Sequence, residues 1–131
     1  MWFDVDQRSS VPIYQQLIDG VKESVAKGIL AHGDKLPSVR ELATKITINP
    51  NTIAKAYQEL EREGVIETLR GKGTYVAARE LKVTQEQKKR VVKEMLDKIL
   101  VEAYYLQIDE EEMASLVTKA VREWYRERRD K

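Results

Sequence analysis

Three sets of polar side chains in this sequence are spaced as a surface for reading a nucleic-acid duplex would require. Arg40 stands at the second position of a helix whose start is marked by Ser38 and Glu41. Asn49, Asn51, Thr52 and Lys55 cluster at the start of a following helix, and Arg70 and Lys72 alternate with Gly71 and Gly73. Arginine can donate two hydrogen bonds to guanine O6 and N7, asparagine can bridge adenine in the same way, and threonine contacts a base or a phosphate. Glycine tolerates positive φ and removes side-chain bulk, so a loop alternating glycine with cations can approach a phosphate backbone closely. Ser38 completes the expected DNA-facing set, with Lys35 and Lys45 as weaker phosphate candidates.

Each of these residues has a plainer alternative. Arg40 can be a solvated side chain paired with Glu41 or Glu59, and Lys55 an ordinary surface lysine. Asn49 is fully explained as a helix cap, and Asn51 and Thr52 as residues that help a helix start. A hairpin turn uses glycine for its own geometry. The order of the parts favours the first reading. A capped helix, a second helix and a hairpin with a cationic tip follow one another as in a winged helix-turn-helix, which lays one helix in the major groove.

The elements that must hold these side chains can be read from spacing. A first helix is expected to begin near Pro12, a residue suited to the first helical position. Ile13, Leu17, Val21 and Val25 recur every four residues, with Tyr14 and Ile18 widening the stripe. Gly28 and the Gly33-Asp34 turn end it. Ser38 and Glu41 form an S-x-x-E capping box ahead of Leu42, Ala43 and Ile46. Asn49 caps the third helix, Pro50 opens it and Gly64 follows it. Ile53, Ala56, Tyr57 and Leu60 face its core side, whereas Asn51, Thr52, Lys55 and Gln58 fall away from that stripe. Glu59, Glu61 and Glu63 collect in its second half, a gradient that suits a helix entering a groove by its leading end. Val65–Leu69 and Thr74–Ala77 read as two strands, which must lean on the helices because a lone hairpin is marginal in water.

From about Thr84 the helical period returns. Val92, Met95 or Leu96, Ile99 and Ala103 line one stripe, and Met113, Leu116, Val117, Ala120, Val121 and Trp124 another. Asp109 to Glu112 supply an acidic helix start, and Arg122, Arg126, Arg128 and Arg129 a basic end, both matching the helix dipole. Two amphipathic helices of about five turns cannot bury both apolar faces alone, so a second copy is expected against them. The alternative is packing on the first helix. Tyr104, Tyr105, Trp124 and Tyr125 fit a core or an interface better than a ligand pocket.

Composition narrows the classes further. The 131 residues carry 23 basic and 22 acidic side chains, with 42% hydrophobic residues and no cysteine. Neither half is strongly basic, with ten cations and ten anions up to Ala78, so DNA affinity must come from local placement. The apolar fraction supports a core. No run approaches the roughly 20 apolar residues of a membrane span, and the first residues lack a secretory pattern. The absence of cysteine excludes disulfides and fits the cytoplasm. His32 is the single histidine, with no cluster of metal ligands or catalytic triad around it. No cofactor, metal or enzymatic activity is expected.

The run Gly33-Asp34-Lys35-Leu36-Pro37-Ser38-Val39-Arg40-Glu41-Leu42-Ala43, the stretch from Asn49 to Gly64 and the wing Arg70-Gly71-Lys72-Gly73-Thr74-Tyr75-Val76 resemble GntR-family bacterial transcription regulators. Trp2-Phe3, Val11-Pro12-Ile13-Tyr14 and the short tail resemble its YtrA-type subfamily. The resemblance implies DNA contacts by Arg40, Asn49, Asn51, Thr52, Arg70 and Gly71. It also implies a homodimer on a double-stranded operator and, often in this subfamily, repression of a transporter operon. Better-known branches carry arginines where this chain has Pro50 and Ala54, so their operator does not transfer. The tail is too short for the large effector domain of many relatives, and no effector is specified. The expected fold is mainly α with a small β-hairpin. Residues 1–78 form the winged DNA-binding domain and residues 79–131 the two-helix dimerisation region. The rival expectation is a winged-helix module that binds a protein.

Overall fold

Pro12 opens the first helix from the N-cap position rather than from within it. Its extended backbone (φ −56°, ψ 146°) leads into α1, Ile13–Ala26, whose Leu17, Ile18 and Val21 are buried. The computed structural model describes residues 5–78 and 83–129. Trp2 and Phe3, and the segment 79–82 beside the expected domain boundary, lie outside the described residues. The chain divides into two units, Met1–Leu81 and Lys82–Lys131.

In the first unit, Gln16 fastens the approach to α1. Its side-chain amide accepts from the Asp6 N–H and donates to the carbonyls of Asp6 and Val11, each at 2.8 Å. The short strand β1, Lys35–Leu36, then precedes α2, Val39–Ile46. Both arms of the capping box are present: the Glu41 N–H donates to Ser38 Oγ at 3.0 Å, and the Ser38 N–H to Glu41 Oε1 at 3.1 Å. Thr47 adopts left-handed backbone (φ 55°, ψ 51°) and turns the chain toward α3, Pro50–Arg62. There Asn49 Oδ1 accepts from the Asn51 N–H at 2.8 Å, and Pro50 holds the first helical position.

Strands β2, Ile66–Leu69, and β3, Gly73–Val76, form the hairpin. The sheet has three strands in the order β1-β3-β2, all antiparallel. β1 was not expected, because two residues carry no legible period. It exists through pairing of Lys35 with Tyr75 and Leu36 with Thr74. The core joins Leu17, Leu42, Ile53, Leu60, Leu36 and Val76, so helices and sheet bury one another's apolar faces. Each such side chain contributes about 1.5–3 kcal/mol. The architecture is mainly helical with a small sheet.

The second unit comprises α4, Gln85–Tyr105, and α5, Glu110–Arg129. α4 has its own capping box, with Thr84 Oγ1 accepting from the Gln87 N–H at 3.1 Å. Asp109 Oδ1 accepts from the Glu112 N–H at 2.9 Å at the start of α5. Among the described residues of this unit, only Ala103 and Met113 are buried, on either side of the connecting turn.

Candidate nucleic-acid interface

Arg40 projects from the leading turn of α2, exposed and without an ion pair or side-chain hydrogen bond among the described residues. Its two plausible acidic partners are occupied. Glu41 receives the Ser38 amide, and the backbone and side-chain hydrogen bonds of Ser38, then the charges of Lys35 and Lys45, hold its carboxyl below the ordinary glutamate value. Glu59 is engaged by Arg62, whose Nε lies 2.9 Å from Oε2 while Nη2 meets Oε1. The Arg62 hydrogen bonds are the first cause of the lowered Glu59 value.

On α3, Asn51, Lys55 and Gln58 are exposed and Thr52 is half-buried, opposite the buried Ile53, Ala56 and Leu60. Asn49 is exposed, with its carbonyl oxygen committed to the cap. Lys55 leans toward α1, its Nζ 5.7 Å from the centre of the Tyr14 ring, a cation–π arrangement. The acidic half of the helix is turned to structural use. Glu61 accepts from the Thr68 N–H at 3.1 Å, and Glu63 pairs with Lys22 of α1 at 2.7 Å. The leading turns are left polar and donor-rich.

Tyr57 fixes the two helices to each other. Its hydroxyl donates to the Pro37 carbonyl at 2.8 Å, immediately ahead of the α2 cap. Burial, and then the charge of Glu41, push this phenol well above its ordinary value, so it stays a neutral donor. Spacing assigned Tyr57 to the core stripe but missed this positioning role. The available signal was a tyrosine, with its polar hydroxyl, in an otherwise aliphatic stripe.

The wing tip is Arg70-Gly71-Lys72, closed by the Lys72 N–H donating to the Leu69 carbonyl at 2.9 Å. Gly71 at φ +76° supplies the positive angle that the third residue of a type II turn requires. The Tyr75 hydroxyl donates to the Lys72 carbonyl at 3.2 Å and braces the loop from its base. Arg70, Gly71 and Lys72 are exposed. Gly73 has φ +125°, and a β-carbon there would come within 3.0 Å of Lys35 Cε. Lys35 therefore lies across the base of the wing while also acting on Glu41 of α2. Lys35, Arg40, Lys45, Arg70 and Lys72 are all exposed, and none is ion-paired among the described residues. Hydrogen-bond donors and positive charge thus line the first unit from α2 to the wing, although the whole chain has a net charge of only +1.

In the second unit the apolar stripes face solvent. Val92, Met95, Leu96, Ile99, Leu116, Ala120, Val121 and Trp124 are exposed, and Val117 is half-buried. His32 occupies the expected surface turn, its Nδ1 2.7 Å from the Ala77 carbonyl oxygen. No group of three or more metal-ligating side chains occurs among the described residues.

Residues 13–76 match the family model described as "Bacterial regulatory proteins, gntR family". The HTH-type transcriptional repressor YtrA of Bacillus subtilis (strain 168) is 52% identical over 109 residues, which span 83% of this chain and 84% of that protein. Among solved structures, a transcriptional antiterminator from Listeria monocytogenes EGD-e has a TM-score of 0.80 at 38% identity, covering 95% of this chain and 92% of that one. YtrA from Sulfolobus acidocaldarius, a GntR-family transcription factor, has a TM-score of 0.54 at 35% identity, covering 92% of this chain and 97% of that one. The capped α2, the outward leading turns of α3 and the glycine-rich wing are thus found in a chain with extensive likeness to named transcription regulators, and it belongs to the GntR family of bacterial regulatory proteins.

Proposed function

We propose that this DNA-binding regulator acts as a homodimeric repressor in the cytoplasm, its two winged units reading a near-palindromic operator. The observation that carries the reading is the open leading end of α3, flanked by unpaired Arg40 and the wing cations. Arg40 reads a guanine, Asn51 an adenine, and Thr52 and Lys55 the adjoining bases or phosphates. Lys35, Ser38, Arg70, Gly71 and Lys72 hold the backbone, and Asn49 sets the leading turn. Residues 1–78 bind DNA, and residues 79–131 join two copies through Val92, Met95, Leu96, Ile99, Leu116, Val117, Ala120, Val121 and Trp124. Twofold symmetry then sets the half-sites about one helical turn, roughly 34 Å, apart. Repression of a transporter operon is the role implied by the resemblance to the YtrA-type subfamily. The near-neutral chain makes affinity depend on a few local cations.

Selection of bound duplexes from a randomised pool tests this reading. An inverted repeat with a fixed half-site spacing is the expected product. A protein-binding winged helix predicts no enriched sequence and no steep salt dependence, and that outcome would overturn the proposal.

A further inference from the structure

Lys88, Lys89 and Arg90 follow the first turn of α4 as three consecutive exposed cations. Glu86 and Glu94 lie within about a turn of them, yet none of the three cations is ion-paired among the described residues. On the same helix Lys93 does find a partner, Asp97, at 3.0 Å. A macrodipole favours acids near the start and cations near the end. α5 follows that rule, with Glu110, Glu111 and Glu112 in its first turn and Arg126, Arg128 and Arg129 in its last. α4 also opens with an acid, Glu86, but has no cation in its last turn, and its basic run sits just past the first turn instead.

Their angular position adds a second observation. At 100° per residue, Lys88 shares a line with Val92, Met95 and Ile99, and Lys89 with Leu96 and Leu100. The apolar stripe of α4 therefore gives way to ammonium groups along its own line. A protein surface shaped to cover the stripe would strand those charges if it continued over them. The three fan over about 200° of the helix at 100° per residue, so their long side chains must converge from its flanks on closely spaced phosphates to be neutralised together.

We propose that Lys88, Lys89 and Arg90 form an additional, sequence-independent contact with the phosphate backbone of duplex DNA. This inference rests on the DNA-binding reading above. Covalent connection to the winged unit keeps the cluster at high local concentration near a bound duplex. The contact adds affinity and salt sensitivity without adding base preference. The competing occupant is the acidic start of α5, Glu110–Glu112, in a second copy.

The test uses the full chain, a duplex selected from a randomised pool, and the K88Q/K89Q/R90Q variant. Each phosphate contact contributes about 0.9 to the slope of log affinity against log salt. The slope should become shallower by about 2 to 3, with base preference and sedimentation behaviour unchanged. An unchanged slope, measured alongside a Lys72→Gln control that does flatten it, overturns the proposal while leaving the DNA-binding reading intact. Dissociation of the dimer by the triple variant also overturns it, since the cluster would then pair with the second copy. If circular dichroism shows the triple variant unfolded, Lys89→Gln alone should flatten the slope by about 0.9. Absence of any salt-dependent duplex binding by the unmodified chain would instead defeat the underlying reading.

Discussion

Arg40→Ala removes a guanidinium whose possible acidic partners are already engaged, so the expected loss falls on DNA binding rather than on folding. The cost should be about 1–3 kcal/mol, with relaxed preference at one base per half-site. Quantitative footprinting over operator variants checks both. Tyr57→Phe should behave differently. It deletes the donor to the Pro37 carbonyl and should lower stability by about 1 kcal/mol in urea unfolding. Operator affinity should fall as well, because the α2 cap that carries Arg40 loses its tie to α3. These two residues also mark how far the site was legible. Arg40, Asn51 and the wing cations announce themselves by charge or amide chemistry at the opening of an element or turn. The Tyr57 hydroxyl and the reach of Lys35 across Gly73 depend on partners twenty and thirty-eight positions away, which no local pattern carries.

At the scale of elements, the α2 cap has a predictable acid response. The folded Glu41 carboxyl lies below its ordinary value of 4.5. Its contribution is therefore complete above that value and is lost as pH falls through the lower, folded one. Glu41→Gln should be less stable than the native chain near neutrality, and the two thermal midpoints should converge in acid. Constant separation across the pH series would contradict this account. The α2–α3 turn offers a gain instead, because Thr47 holds left-handed backbone with a β-branched side chain. Thr47→Asn should stabilise by about 1 kcal/mol, read from urea unfolding. The helices were legible because caps and apolar periods are local: Ser38 with Glu41, Asn49 with Pro50, and the Ile53–Leu60 stripe all stand as expected. β1 was hidden because its two residues become a strand only through β3. Pro12 was displaced by one position because its ring suits either side of a helix boundary.

The whole molecule combines a winged unit that has its own interior with a helical pair that has almost none. Ile99→Glu, placed mid-stripe on α4, should convert a dimer into monomers by sedimentation. The same change should reduce operator affinity by more than tenfold while leaving the winged unit folded. A variant that stayed dimeric would place the interface elsewhere. Among the described residues of the tail only Ala103 and Met113 are enclosed, so a tail ordered by the proposed association predicts a thermal midpoint that climbs with protein concentration. An unpaired subunit would then expose its tail to proteases. Limited proteolysis of the tail should therefore slow as protein concentration rises.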